Sequence, residues 1–87
     1  MDMSKIKMQA GKIYFLSYGG TEIVGRYKRD DTCNYFFYDY LHQWAGFENF
    51  HHGDSLYCVK SGIVEIREAT QTEKQALLRK SIEHNSI

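Results

Sequence analysis

The chain has 87 residues with 11 basic and 11 acidic side chains, and 15% of its residues are aromatic. A balanced charge argues against a dedicated non-specific DNA binder, because such proteins draw most of their affinity from a basic excess. The length predicts one domain over residues 1–87, and zero net charge is compatible with a homodimer.

The N-terminal sequence lacks an apolar run of roughly 7–15 residues behind a basic segment, which a secretory signal would require. No segment approaches the ~18 consecutive apolar residues of a membrane span. These features predict a cytoplasmic protein with reduced thiols at Cys33 and Cys58, both expected to be buried.

The first strands are predicted at 12–18 and 21–28, two segments rich in β-branched and aromatic residues. Gly19-Gly20 separates them, and two glycines between apolar runs favour a tight hairpin turn. Gly25 would weaken a flat strand, so its position predicts a bulge or a sharp bend.

The third strand is predicted at 33–41, with aromatic rings at both parities. Side chains alternate between the two faces of a strand. The parity expected to form the core carries Tyr35, Phe37 and Leu41, while Tyr38, Tyr40 and His42 keep polar atoms and are expected on a wet or binding face. Asp39 has the core parity, so we expect it at the rim or paired with Arg26 or Arg67, and Phe36 is assigned to neither face.

Residues 42–54 show no sustained period and are predicted to form a loop packed by its own aromatic side chains. A second hairpin is predicted from strands at 55–60 and 63–68, with Ser61-Gly62 as its turn. A helix is predicted at 71–84, because Thr70 and Glu73 have the spacing of a capping box. Leu78 and Ile82 lie one turn apart and are expected to cover the sheet.

These elements predict a mainly β (α+β) fold, a small five-stranded antiparallel curled sheet or SH3-like barrel with a C-terminal helix. The alternative is an open α+β sheet with the helix across one face.

The segment Ile66-Arg67-Glu68-Ala69-Thr70, followed by Glu73-Lys74, resembles the closing segment of many small phage and mobile-element proteins of gut bacteria. The remainder looks like the SH3-like barrels common among such proteins. This resemblance covers about a sixth of the chain and implies a phage context and a bacterial host cytoplasm. It brings no functional residues with it.

Catalytic and metal-binding patterns are weak in this sequence. His51 and His52 are adjacent, so on an extended segment they point apart, and no H-x-x-x-H or C-x-x-C pair accompanies them. No P-loop, G-x-G-x-x-G or G-x-S-x-G motif is present. We therefore expect no enzyme activity, no resident metal and no cofactor.

A binding surface is the functional feature that the sequence favours. Tyrosine and tryptophan give large contact areas with a polar tip, and neighbouring cations would add affinity for a base and its phosphate. The predicted binding residues are Tyr38, Tyr40, His42, Trp44, Phe47, Arg26 and Lys28.

The leading functional hypothesis is a non-catalytic binding protein that inhibits host defence. In the implied phage context it would bind a host protein or sequester a nucleotide-type signal. The alternative is a nucleic-acid-binding SH3-like domain that uses Arg26 and Lys28. A small metal-dependent enzyme is a distant third.

Overall fold

A computed structural model describes residues 7–85, with the side chains of residues 53–57 left out of the description. In chain order, its elements are β1 (Ile13–Ser17), β2 (Thr21–Asp30), β3 (Asn34–Trp44), β4 (Phe47–Val59), β5 (Glu65–Glu68) and α1 (Gln71–Asn85). The five strands form one antiparallel sheet in the order β4-β3-β2-β1-β5. The single-domain prediction includes residues 1–6 and 86–87, which lie outside the described residues.

The sheet is curled but not closed. Cys58 on the edge strand β4 and Ile66 on the opposite edge strand β5 belong to one buried cluster, so the two edges bend toward each other. Tyr18, just after β1, donates its hydroxyl hydrogen to the carbonyl of Val59 at the end of β4. The predicted mainly β fold with a C-terminal helix is therefore confirmed as a curled open sheet with the helix on one face.

The first hairpin is confirmed, and the second is wrong. Tyr18 and Thr21 close the predicted turn at Gly19-Gly20 through a backbone hydrogen bond of 2.8 Å. Ser61-Gly62 does form a turn, but the strand after it pairs with β1 instead of returning along β4. Hydrophobic burial favours this pairing, because it places Ile66 opposite Leu16, and both side chains are fully buried.

Buried side chains lie on both faces of the sheet, because adjacent residues on β1 and β2 point in opposite directions. We call the larger group the ring-rich cluster, formed by Tyr14, Leu16, Ile23, Tyr27, Phe37, Cys58, Ile63 and Ile66. The helix-side cluster lies on the other face and contains Ile13, Phe15, Val24, Leu41, Ala69 and Leu77.

A bulge in β3 makes the parity prediction wrong. Tyr40 lies opposite Gly25 and Phe37 lies opposite Tyr27, so β3 advances three residues where β2 advances two. Phe37 and Leu41 are four residues apart, so strict alternation would place them on the same face of the sheet. Because of the extra residue, Phe37 packs in the ring-rich cluster and Leu41 packs in the helix-side cluster on the other face. Both side chains are buried as expected, but against different partners.

Gly25 marks this irregularity, as its position predicted. A Cβ atom at Gly25 would lie 2.7 Å from Cδ1 of Phe37 and 3.1 Å from Cβ of Tyr40. Only glycine therefore lets the Phe37 ring lie against the backbone of β2. The bend and the burial of Phe37 depend on each other.

The helix begins at the predicted capping box. The Thr70 N–H donates to Oε1 of Glu73 over 2.8 Å, and the Glu73 N–H donates to Oγ1 of Thr70 over 3.2 Å. Arg67 of β5 also holds the Glu73 carboxylate with two hydrogen bonds of 2.9 and 3.0 Å. These contacts fix the rotation of α1 relative to the sheet.

That rotation makes the prediction for Leu78 and Ile82 wrong. Because Glu73 is tied to β5, the residue one turn later, Leu77, faces the sheet and is fully buried. Leu78 and Ile82 lie on a neighbouring stripe and are 40% and 67% exposed. Lys80 also faces the sheet and forms an ion pair of 3.2 Å with Glu48 of β4.

Candidate functional site

Residues 42–54 form parts of two strands, so the predicted loop is wrong. β3 continues to Trp44, and β4 begins at Phe47 after the two-residue turn Ala45-Gly46. Both turn residues have positive φ, 47° and 82°, which is the requirement of a type I′ hairpin. Alanine is strained in this region, so the sequence gives a weak turn signal.

The extended hairpin displays a row of rings that we call the aromatic ladder, made of Tyr40, His42, Trp44, Phe47 and His51. Cross-strand pairing places Tyr40 opposite His51 and Trp44 opposite Phe47. The Tyr40 and His51 rings stack with centroids 4.7 Å apart, and those of His42 and Trp44 are 4.6 Å apart. Trp44 and Phe47 follow at 6.1 Å. The ladder therefore runs along both strands toward the tip of the hairpin.

The ladder side chains lie on the same face of the sheet as the ring-rich cluster but extend beyond it along the hairpin. Tyr40 packs partly against that cluster, with its ring centroid 6.2 Å from that of Phe37. His42 and Trp44 are half-buried, and Phe47 at the far end is 66% exposed. The rings thus change from core to surface along the hairpin.

Four of the seven predicted binding residues come together in this ladder: Tyr40, His42, Trp44 and Phe47. Tyr38 lies in the bulge, where the Lys28 ammonium is 5.8 Å from its ring centroid. Arg26 points to the helix side, where its Nε is 3.7 Å from Oδ2 of Asp39. The expectation that Arg26 supplies a cation beside the tyrosine face is therefore wrong, because alternation along β2 turns Arg26 away from the face of Gly25, the residue opposite Tyr40.

His51 is a ladder residue that was not among the predicted binding residues, because residues 42–54 were expected to form a loop. The signal was present in the alternation of Phe47, Asn49 and His51, which matches Trp44, His42 and Tyr40 on the preceding strand. An alanine in place of the usual asparagine at the first turn position hid the hairpin.

A groove lies beside the ladder, where the end of β4 approaches the turn between β1 and β2. It has a volume of about 310 Å³ and is lined by Tyr18, Thr21, Ile23, Tyr40, His42, Cys58 and Val59. Its titratable groups favour their neutral forms. Burial raises the pKa of Tyr18 to about 12 and that of Cys58 to about 12, and it also raises the pKa of Tyr40. Burial and nearby His51 lower the pKa of His42.

The two cysteines differ in exposure. Cys58 is buried as predicted, and its raised pKa keeps it a protonated thiol at neutral pH. Cys33 is exposed, so the prediction that it is buried is wrong. It precedes β3 in a turn where its N–H donates to the Asp31 carboxylate, which removes it from the core.

A second polar group lies on the helix side of the sheet. Oδ1 of the buried Asp39 is 3.2 Å from Nδ1 of His52, and Arg26 approaches the other carboxylate oxygen. The rings of His52 and His84, near the end of α1, have centroids 5.1 Å apart. The contact between Arg26 and Asp39 confirms their predicted pairing.

Within the part of the chain that the structure describes, no three histidine, cysteine or acidic residues are grouped to hold a metal ion.

No family model matches the sequence, and searches of curated proteins and of solved structures give no significant match. Among the described residues, no helix is long and apolar enough to cross a membrane.

Proposed function

We propose that this chain is a non-catalytic binding protein that engages a protein partner through the aromatic ladder. The observation that supports this role is the continuous row of five rings on one face of the β3–β4 hairpin. A hairpin that only completed a core would bury such rings, whereas Phe47 is mostly exposed.

Ring chemistry favours a protein partner. Tyrosine, tryptophan and histidine combine an apolar body with a polar tip, and they lose little conformational entropy when a partner covers them. Stacking within the ladder already restricts these side chains, which further reduces the cost of ordering them on binding.

The alternative of nucleic-acid binding has less support. It depended on Arg26 and Lys28 as cations beside the rings, and phosphate contacts supply most of the affinity in such complexes. Arg26 lies against Asp39 on the other face, and Lys28 lies beside Tyr38 instead of the ladder. Among the described residues, no group of three histidine, cysteine or acidic side chains supports the third hypothesis, a metal-dependent enzyme.

The biological context comes from the resemblance of residues 66–74 to phage and mobile-element proteins of gut bacteria. In that context the partner is a bacterial host protein, and inhibition of a host defence system is the corresponding role.

Capture from a lysate of gut bacteria tests the ladder directly. The wild-type chain is compared with a Trp44→Ala/Phe47→Ala variant and with Val64→Ala, a matched control whose side chain is 68% exposed outside the ladder. We expect wild type and control to retain the same host protein and the ladder variant to lose it by tenfold or more, on the order of 1.4 kcal/mol. Equal retention by all three chains contradicts the proposal.

A further inference from the structure

The groove beside the ladder has a composition that the proposed protein contact does not require. It shares Tyr40 and His42 with the ladder, but its other side is formed by the β1–β2 turn and the end of β4. Ile23 and Cys58 are buried and give it an apolar floor. Its volume of about 310 Å³ lies at the lower end of the range usual for small-molecule sites, roughly 300–1,000 Å³.

Polar groups surround this floor. The groove is lined by the phenols of Tyr18 and Tyr40, the hydroxyl-bearing Thr21 and the imidazole of His42. Tyr18 donates its hydrogen to the Val59 carbonyl, which leaves the phenol oxygen able to accept a hydrogen bond. A site for a purely aliphatic group would not need this many polar tips.

Charge is the second property that selects a ligand. None of the described residues that line the groove is a lysine, arginine, aspartate or glutamate. The shifted pKa values of Tyr18, Tyr40, Cys58 and His42 all favour the neutral side chain near pH 7.

The nearest cation in sequence is already engaged. Lys60 follows the groove residue Val59, but its Nζ is 2.6 Å from Oδ2 of Asp30 and lies 4.8 Å from the centre of the Tyr35 ring. A phosphate in the groove would therefore lack a counter-charge from this residue.

We propose that this groove binds an uncharged planar heterocycle, of the class of a nucleobase or a nucleoside without phosphate. Aromatic side chains bind such rings by stacking, and the hydroxyl and imidazole groups can pair with the polar edge of the heterocycle. The site goes beyond the protein contact proposed above.

Titration with nucleosides tests this assignment. Adenosine, guanosine, cytidine and uridine are added to the folded wild-type chain, each beside its 5′-monophosphate, and binding is followed by NMR chemical shifts. We expect at least one nucleoside to saturate with a Kd on the order of 1 mM or tighter. Its monophosphate should bind no more tightly, and the nucleoside affinity should be unchanged between about 50 and 500 mM salt, because no phosphate contact contributes.

Two substitutions at one position connect this binding to the groove. Thr21→Trp should fill the groove and weaken the nucleoside by tenfold or more, while Thr21→Val keeps the shape and removes only the hydroxyl, so it should weaken binding several-fold. Val64→Ala is the matched control and should bind as wild type does. A native-like amide spectrum establishes that each variant is folded.

Two outcomes overturn the proposal: no nucleoside shifts the groove resonances, or a monophosphate binds tenfold more tightly in a salt-dependent way. Failure here is distinguishable from failure of the protein contact. The capture experiment depends on Trp44 and Phe47, and neither lines the groove.

Discussion

The ring-rich cluster and the aromatic ladder use the same residue types for opposite purposes. In the cluster, Tyr27 and Phe37 meet edge to face with centroids 6.4 Å apart and are closed off from solvent. In the ladder, Trp44 and Phe47 are separated by nearly the same distance, 6.1 Å, but lie at the open end of the hairpin. Ring content therefore does not distinguish core from surface in this protein. On β3, the position of a ring relative to the bulge distinguishes core from surface.

The helix-side cluster differs from both, because aliphatic side chains dominate it and one helix covers it. Leu77 is the fully buried residue that α1 contributes among its described side chains. The helix also makes polar and aromatic contacts with β4, including Lys80 with Glu48 and His84 with His52. This face should therefore depend strongly on a single leucine.

The largest expected effect on stability comes from comparing one phenylalanine of the ring-rich cluster with one phenylalanine of the aromatic ladder. Phe37→Ala should lower the free energy of unfolding by about 3–5 kcal/mol, because the side chain has no exposed surface. Phe47→Ala, at a position 66% exposed, should change it by less than about 1 kcal/mol. Urea unfolding of both variants measures the difference. Similar losses in the two would contradict the division between core and ladder.

The next effect tests the rotation of the helix with two adjacent leucines. Leu77→Ala should cost about 2–5 kcal/mol, and Leu78→Ala should remain within about 0.5 kcal/mol of wild type. Thermal and urea unfolding of the pair are the measurements. If Leu78→Ala proves the more destabilising substitution, α1 is rotated and the helix-side cluster has been assigned to the wrong leucine.

A smaller effect on stability is expected at Glu73, whose contact with Arg67 fixes the rotation of α1 relative to the sheet. Hydrogen bonds from Arg67, above all, and from Thr70 hold the pKa of Glu73 below its ordinary value of 4.5. A carboxyl group with a lower pKa in the folded state stabilises the fold above its unfolded pKa, and that contribution is lost as the pH falls.

At neutral pH, Glu73→Gln should therefore reduce the free energy of unfolding by about 1 kcal/mol. The gap between wild type and variant should shrink as the pH falls below about 4.5 and through the lowered pKa of Glu73, because the carboxyl group then becomes neutral, as the glutamine amide is. Urea unfolding at several pH values gives this comparison. A gap that stays constant with pH would show that the charge of Glu73 does not contribute.

The smallest effect is a gain in stability at the tip of the ladder. Ala45 has a φ of 47°, which costs an L-residue with a Cβ roughly 1 kcal/mol, and asparagine tolerates this conformation better. Ala45→Asn should therefore stabilise the chain by up to about 1 kcal/mol, whereas Gly46→Ala should destabilise it by a similar amount. Opposite signs in denaturant unfolding are the expected result, and two losses would argue against the type I′ turn.

Several parts of the fold were predictable from local chemistry. The turn at Gly19-Gly20, the bulge near Gly25 and the capping box of Thr70 and Glu73 each depend on residues close in sequence. Such short-range patterns carry their own physical cause, whether a positive φ, a missing Cβ or a paired backbone N–H.

The errors concern long-range geometry. The alternation of β3 predicted which side chains are buried, but it placed Phe37 and Leu41 on one face because a bulge inside a strand leaves the sequence alternation unbroken. The pairing of β5 with β1 also depends on tertiary packing, and a short turn at Ser61-Gly62 is equally compatible with a hairpin. Arg26 was misplaced beside the ladder for a different reason: Tyr40 pairs with Gly25, so the next residue of β2 points to the other face.

Contacts made by Phe37 and Leu41 test the central claim, that the bulge separates a ring core from a ring surface. Nuclear Overhauser effects measured in the wild-type chain should connect the Phe37 ring to the rings of Tyr27 and Tyr40, and the Leu41 methyl groups to those of Leu77. If Phe37 and Leu41 both show contacts to Leu77, their side chains lie on the same face of the sheet. The bulge would then be absent, and the assignment of the aromatic ladder, which depends on it, would be wrong.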